Sequence, residues 1–177
     1  TAKDLTPQVT KFRNAGADAL FMQLSVTSLG AAFLKAVNAV GLKVPLYGNS
    51  GLAQKGFIDA AGPLGEGVHV LSIGNIAYDP TPPEQKLASI MKKNGFTPQG
   101  WGDLLAGNGY MTIKAALGKI NGPVTGQAMR DTIETLCGFE TMSMGKGCFS
   151  KDNHDGWGAD ATILTTIRGG QFRSDAK

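Results

Sequence analysis

The stretch Gly48-Asn49-Ser50-Gly51 carries polar side chains that could do chemistry. These residues follow a short apolar run and precede a helical pattern, and in open α/β sheets ligands bind where strands end and helices begin. Neither a phosphate-binding GxxxxGK[ST] nor a GxGxxG pattern fits them. A nucleophile elbow needs GxSxG spacing, which they also lack. The stretch is therefore either a plain turn rich in Gly and Asn or one lip of a binding pocket.

A second polar loop, Ser25-Val26-Thr27-Ser28, follows the preceding apolar run. Its hydroxyls and those of the 49–50 loop can converge on one cleft, because the carboxyl ends of neighbouring parallel strands share an edge of the sheet. Ser28 by itself is predicted to cap the helix that follows.

The run Asp152-Asn153-His154-Asp155 has the composition of a metal loop. An EF-hand counted back from Gly156 would place Lys151 at the first ligand position and lacks the glutamate at the twelfth. An Asx-rich hairpin turn is predicted instead. The other histidine, His69, lies within a predicted strand. No acid/base set, nucleophile, metal site or cofactor site is therefore predicted.

The two cysteines, Cys137 and Cys148, stand too far apart for a CxxC redox pair and lack the companions of a zinc site. Two interpretations stay open. They form a disulfide that closes a short loop in an oxidising compartment, or they are two buried thiols.

The composition is that of a globular domain, since 42% of the 177 residues are apolar. The 17 basic residues, which leave a net charge of +3, are spread along the chain. They indicate neither nucleic acid nor anionic lipid as a partner. The apolar runs 17–24 and 67–73 fall well short of the ~20 residues that cross a bilayer. No signal-like segment opens the sequence, which as given predicts a soluble polypeptide.

Hydrophobic periodicity in the first part of the chain predicts alternating helices and strands. The predicted helices are 6–14, 29–40 and 52–61, and the predicted strands are 17–24, 44–47 and 67–73. Thr6-Pro7 suits a helix start and Gly41 a helix end. Strand 17–24 is apolar on both faces, which is typical of a parallel sheet covered by helices. The alternation predicts right-handed βαβ units and an α/β fold.

The pattern changes at Gly74. Residues 74–83 hold three prolines and are predicted to be a linker or crossover. The elements predicted after them are helices 83–94, 103–120 and 125–136, then strands 142–149, 159–167 and 171–173. Three helices in a row need a sheet or further helices to bury their apolar faces. We therefore expect part of the fold to be missing.

Taken in order, these segments resemble the type I periplasmic binding proteins of the branched-chain amino acid class, the solute receptors of ABC transporters. The resemblance runs through such segments as "DLTPQVTKFRNAGADAL", "AAFLKAVNAVGLKVPLYGNSGL", "YDPTPPEQKLASIMKKNG" and "GFETMSMGKGCFSKDNHDGWGADATILTTIRGGQF". It covers nearly the whole chain, but only the C-terminal half of a receptor about twice as long.

The resemblance implies a three-layer αβα fold with a mainly parallel sheet, and a ligand held between two lobes that close about a hinge. Residues 1–73 would form the C-terminal ligand-binding lobe and 74–83 the hinge crossover. Residues 84–136 would be helices that pack on the N-terminal lobe, and 137–177 the return strands and hairpin that complete the lobes. It also implies a periplasmic location, a membrane permease as partner and no enzymatic activity, and it favours the disulfide.

The resemblance also implies which residues contact the ligand. In amino-acid binders of this class the loop after strand 17–24 contributes an aromatic side chain, a position that falls here on Ser25 or Val26. The loop of Asn49 contributes an acid that holds the ligand's ammonium, and here that position is Ser50. A further contact falls near Leu105. Without the carboxylate a buried ammonium loses its charged partner, which favours an organic or aromatic acid over an α-amino acid.

Two other functions are compatible with the sequence. One is a cytoplasmic regulator of the same fold that senses an amide or amino acid, and the other is an α/β enzyme, which the lack of a catalytic set disfavours. The sequence also predicts self-association, because the apolar faces of helices 84–136 would otherwise remain exposed.

Overall fold

A computed structural model describes residues 4–174; residues 1–3 and 175–177, at the ends of the first and last predicted regions, lie outside the described residues. The α-helices of the described part are α1 (Thr6–Asn14), α2 (Thr27–Val40), α3 (Lys55–Ala61), α4 (Pro82–Lys93), α5 (Trp101–Leu117) and α6 (Gly126–Ile133). Its strands are β1 (Leu20–Met22), β2 (Leu46–Gly48), β3 (His69–Ser72), β4 (Cys137–Glu140), β5 (Lys146–Cys148), β6 (Ile163–Arg168) and β7 (Gln171–Ser174).

Five of these strands form one sheet in the order β1-β2-β3-β6-β7. The first three are parallel, as βαβ units require. Strand β6 is antiparallel to β3, and β7 is antiparallel to β6. Strand β7 therefore runs in the direction of β1, β2 and β3, so all strands of this sheet except β6 share one direction. The predicted α/β class with a mainly parallel sheet is confirmed.

One face of this sheet carries the main core. Met22, Val70 and Ile167 point from three strands toward the helices and are at most 3% exposed. They meet Leu34 of α2 and Phe57 of α3. Burying side chains of this size stabilises a fold by roughly 1.5–3 kcal/mol each. The loops that leave the carboxyl ends of β1 and β2 are thus anchored on a rigid base.

The opposite face of the sheet is open. Phe21, Leu71 and Leu164 lie on it and are 55%, 40% and 38% exposed. Between them Tyr47 stacks on His69, with ring centroids 5.0 Å apart. Successive side chains of a strand point to opposite faces, so Phe21 cannot join Leu20 and Met22 under the helices. The expectation that helices cover strand 17–24 on both faces is met on one face within residues 4–174.

Helices α4 and α5 pack on the segment that leaves β3. Ile73 and Ile76 of that segment form a buried cluster with Ala88 of α4 and Leu104 of α5. The outer faces of the two helices still carry exposed apolar side chains, among them Ile90, Tyr110 and Ile113 at 49%, 59% and 50% exposure. The assignment of residues 84–136 to another lobe stays a prediction.

The hairpin of β4 and β5 is closed by a disulfide. Cys137 and Cys148 stand opposite each other in the ladder and are covalently joined. Beside them the rings of Phe139, Phe149 and Trp157 pack together, with centroids 5.3 to 6.4 Å apart. A two-stranded hairpin is only marginally stable on its own, so the disulfide and the aromatic cluster stabilise the sheet of β4 and β5.

The hairpin predicted across residues 150–158 is wrong. Strand β5 pairs with β4, whereas β6 pairs with β3 and β7. The polar turn itself exists, because the N–H of Asn153 donates to Ser150 Oγ at 3.0 Å and the N–H of Asp155 to Asn153 Oδ1 at 3.0 Å. Local turn chemistry was therefore predictable, but the strands that it joins lie in different sheets.

Two helix starts also differ from prediction. Thr6 is the first residue of α1 rather than its cap, and its N–H donates to Asp4 Oδ1 at 2.9 Å. Helix α3 begins at Lys55, three residues later than predicted, because Ser50–Leu52 forms a 3₁₀ turn and Gln54 pairs with Gly100. The predicted end of α2 is confirmed, since Gly41 takes the left-handed conformation with φ 69°.

Candidate ligand-binding site

The loop after β1 places Ser25 and Val26 in the open. Both are exposed, and Val26 is 57% exposed. Val26 is the residue before the first turn of α2 and Thr27 begins the helix. The prediction that Ser28 caps α2 is wrong, since the helix starts one residue earlier and has no side-chain cap. Ser28 lies instead in a groove beside Thr6 at the start of α1.

Asn49 joins the loop after β1 to the loop after β2. Its side-chain Oδ1 accepts a hydrogen bond from the N–H of Leu24 at 3.0 Å. Its own N–H donates to the carbonyl of Met22 at 3.1 Å. Asn49 is half-buried. It therefore acts as the link that holds the two predicted lip loops side by side.

Gly51 shows how closely these two loops approach each other. A Cβ built on Gly51 would collide with the carbonyl oxygen of Leu24 and the Cα of Ser25. Only glycine leaves room for this backbone contact. The predicted convergence of the 25–28 and 49–50 loops thus agrees with the geometry.

Ser50 opens the 3₁₀ turn that follows and is half-buried. The carbonyl of Ser50 accepts the N–H of Ala53 at 2.9 Å. The side chain of Gln54 donates to the carbonyl of Gly51 at 2.8 Å. The fully buried Leu52 anchors the turn in the core. The Ser50 side chain is thus carried on a backbone with little freedom.

The start of α5 lies against this same turn. The N–H of Trp101 donates to the carbonyl of Ala53 at 3.1 Å, and the N–H of Lys55 to the carbonyl of Gln99 at 2.7 Å. Leu105 follows Trp101 by about one turn of the helix and is 44% exposed. The structure thus connects Leu105 with the Ser50 turn through the start of α5.

Sequence reasoning missed the residues that lie between β3 and α5. Gln99 and Gly100 line a small cavity together with Ser72 and Asn75 at the carboxyl end of β3. Its volume is about 10 Å³, room for about one water molecule. The sequence signal that could have located this helix start is Gly100 followed three residues later by Asp103. The Asp103 carboxylate accepts the N–H groups of Gln99 and Gly100 at 2.6 and 3.1 Å.

The predicted contact residues form a set without charge: Ser25, Val26, Asn49, Ser50 and Leu105. Asp103, in the first turn of α5, is engaged by backbone N–H groups. His69 stands at the amino end of β3, on the open face, with its Nδ1 2.8 Å from Thr166 Oγ1. Within residues 4–174 no cluster of three His, Cys, Asp or Glu residues could hold a metal ion. This arrangement can bind a small molecule through hydroxyl, amide and apolar groups.

Over the described part of the chain, none of the helices combines the length and the apolar character that crossing a bilayer demands.

Comparison with known proteins agrees with this geometry. The sequence matches the periplasmic binding protein family over residues 1–171. No curated protein matches it.

Solved structures of the same architecture come from several bacteria. An extracellular ligand-binding receptor from Rhodopseudomonas palustris HaA2 is 25% identical, with a TM-score of 0.79 over 96% of this chain and 50% of the receptor. A leucine binding protein from Thermotoga maritima is 15% identical, with a TM-score of 0.78 over 98% of this chain and 48% of that protein. A branched-chain amino acid ABC transporter protein from Thermus thermophilus, with bound valine, is 21% identical, with a TM-score of 0.77 over 98% and 49%.

This chain therefore spans about half the length of the structures that it matches. The match over nearly all its residues, the parallel strands and the paired loops at their carboxyl ends lead to one conclusion: the chain belongs to the periplasmic binding protein family.

Proposed function

We propose that this chain is part of the extracytoplasmic solute-binding component of an ABC transporter. The observation that carries the proposal is the pair of loops after β1 and β2, which Asn49 joins at the carboxyl edge of the sheet. Among residues 4–174, the side chains of Ser25 and Ser50 on these loops form no hydrogen bond to a residue that could act as a base. Such a lip binds a solute and does not transform it. Family membership supports the same role.

The ligand class follows from the side chains of the lip. It is a branched-chain or other hydrophobic amino acid, or a related small organic or aromatic acid. By resemblance, Ser50 stands where amino-acid binders of this class hold the ammonium of the ligand with an acid. A hydroxyl can accept one hydrogen bond from an ammonium but supplies no charge, so a desolvated ammonium is bound more weakly than beside a carboxylate. An acid with an apolar body, held by Leu105 and Val26, fits the lip better.

The second wall of the pocket belongs to another lobe in this proposal. The predicted C-terminal lobe, residues 1–73, supplies one wall together with β6 and β7. The predicted crossover 74–83, whose last two residues begin α4, is the hinge. Closure then brings a facing lobe onto the lip and removes the ligand from water. The closed form docks on a membrane permease, and the exposed apolar faces of α4 and α5 cover the facing lobe or, in its absence, a second copy of the chain.

One substitution tests both the lip and the ligand class. Ser50→Asp restores a carboxylate at the position proposed to meet the ligand. In the complete product of the gene, we expect calorimetry to show tighter valine or leucine binding and weaker benzoate binding than in the unchanged protein. Ser28→Asp is the matched control, because Ser28 faces the α1–α2 groove and not the lip. Equal effects of both variants would place the ligand elsewhere, and turnover of a bound compound would reveal an enzyme.

A further inference from the structure

Glu84 is a buried carboxylate that the proposed ligand site does not use. It lies in the first turn of α4 and is 1% exposed. Carboxylates are rarely buried to this extent unless a cation pairs with them. No Lys, Arg or His of residues 4–174 forms an ion pair with it. Its two oxygens instead accept backbone N–H groups.

These N–H groups come from the two ends of the crossover between β3 and α4. Oε1 of Glu84 accepts the N–H of Asn75 at 3.2 Å. Oε2 accepts the N–H of Thr81 at 2.7 Å, while Thr81 in turn caps α4. The two oxygens thus close residues 75–81 into a loop. We call this arrangement the Glu84 bridge.

The surroundings of the Glu84 bridge connect three parts of the fold. A Cβ on Gly74, whose φ is 158°, would collide with Glu84 Oε1 and press on Leu104 of α5. The side chain of Asn75 donates to the carbonyl of Phe172 in β7 at 3.0 Å. Ser72 Oγ at the end of β3 donates to the carbonyl of Gly74 at 2.6 Å. A change at Glu84 therefore acts where the sheet, the crossover and the α4–α5 pair meet.

We propose that the Glu84 bridge is a titratable joint, in which ionisation of the buried carboxylate weakens the attachment of the α4–α5 pair to the sheet. This goes beyond the proposed function, although in a receptor that closes about this crossover it would make closure sensitive to pH. Its test requires no ligand, so its failure leaves the proposed function untouched.

The direction of the pH effect follows from burial. Removal from water raises the pKa of Glu84 above its ordinary value of 4.5, and the N–H groups of Thr81 and Asn75 oppose this shift only in part. Asp79, on the crossover, raises the pKa of Glu84 further. The other groups packed on the bridge, Ser72, Leu104 and Phe172, carry no charge.

The folded protein accordingly binds the Glu84 proton more tightly than the unfolded chain does. The stability that this proton contributes is fully present below the ordinary pKa of a glutamate and is lost as pH rises through the raised pKa. For this group alone, acid protects the fold and neutral pH weakens it.

The experiment compares the unfolding of the protein and its Glu84→Gln variant in denaturant, from about pH 5 to about pH 8. Glutamine does not titrate, so we expect the unchanged protein to lose stability relative to the variant as pH rises. Asp103→Asn is the matched control. Asp103 occupies the same third helical position, in α5, and also accepts two N–H groups, but it is half-buried. A divergence from the unchanged protein as large in Asp103→Asn as in Glu84→Gln would overturn the proposal.

A second measurement tests the proposal without the Glu84→Gln variant, in case that variant does not fold. Amide hydrogen exchange of Asn75 and Thr81 in the unchanged protein, each divided by that of Val70 in the sheet, cancels the intrinsic effect of pH. We expect both ratios to rise across the titration, because ionisation of Glu84 favours local opening of the bridge. In Asp79→Asn the rise should begin at lower pH, because a like charge is gone. Flat ratios, or parallel stability profiles of the protein and Glu84→Gln, overturn the proposal.

Discussion

The side-chain oxygen of Asn49 lies 3.0 Å from the backbone nitrogen of Leu24, so one hydrogen bond holds the loop after β2 against the loop after β1. Asn49 was predicted as a ligand contact. Its place in the structure gives it a part in positioning Ser25 and Ser50.

Replacing Asn49 tests this link. In Asn49→Ala the N–H of Leu24 loses its acceptor in a half-buried place, so we expect the free energy of unfolding to fall by about 1–2 kcal/mol. Asn49→Asp keeps an acceptor and should restore most of the loss. Asn38→Ala, at an exposed position of α2, is the control and should change stability little. Denaturant unfolding measures all three, and an equal loss in Asn49→Asp and Asn49→Ala would contradict this role.

Gly51 should resist any side chain. An added methyl group meets the carbonyl of Leu24, so Gly51→Ala is expected to lower the free energy of unfolding by about 1–3 kcal/mol and to separate the two loops. Gly56→Ala provides the opposite case in the same region. Gly56 lies in α3, and a Cβ built on it would have only side-chain atoms of Thr27 near it, at 3.8 and 3.9 Å. There the change should stabilise by about 0.5–1 kcal/mol, as for alanine in a helix. Thermal unfolding of both variants distinguishes a steric clash at Gly51 from a general destabilising effect of glycine-to-alanine substitution in this region.

The disulfide should stabilise the protein by the amount that its loop size predicts. Its partners are 11 residues apart, and closing a loop of that size removes about 3 kcal/mol of unfolded-state entropy. The double variant Cys137→Ser, Cys148→Ser is expected to lose about that much stability in denaturant unfolding. A thiol reductant should weaken the unchanged protein but leave the double variant as it is. A reductant effect of equal size on both would show that the loss has another cause.

The outer face of α5 should drive self-association. Tyr110, Ile113 and Leu117 lie on one stripe of the helix at 59%, 50% and 45% exposure. Light scattering of this chain is expected to show a mass that grows with concentration, and Ile113→Lys should shift it toward the monomer. Thr97→Lys adds the same charge at an exposed site away from the stripe and should leave the mass unchanged. A strictly monomeric chain at high concentration would contradict the prediction.

Much of the element order could be predicted because it depends on neighbours in sequence. Gly41 ends α2 in a left-handed conformation that favours glycine, and the apolar runs around Leu20, Leu46 and Val70 mark the first three strands. The loops at the carboxyl ends of β1 and β2 follow from the parallel order of those strands. Such signals are local, so the sequence alone is enough to find them.

Ser28 and Ser150 show where local signals were not enough. Ser28 has the right side chain for a cap, but the helix starts before it, since Val26 already stands at the N-cap. Ser150 begins a turn that forms, but the strand after that turn joins β3 and β7 rather than β5. Strand pairing is a contact between distant residues, and no pattern within one strand states its partner.

The sequence by itself determined the α/β class, the order of helices and strands and the uncharged character of the proposed lip, because side-chain type and periodicity act over a few residues. Only the tertiary structure decided that Asn49 links two loops, that Phe21 lies on an open face, and that Glu84 is buried between the ends of the crossover. These facts depend on which distant segments share a surface, and burial of a polar group is a property of that shared surface rather than of the group.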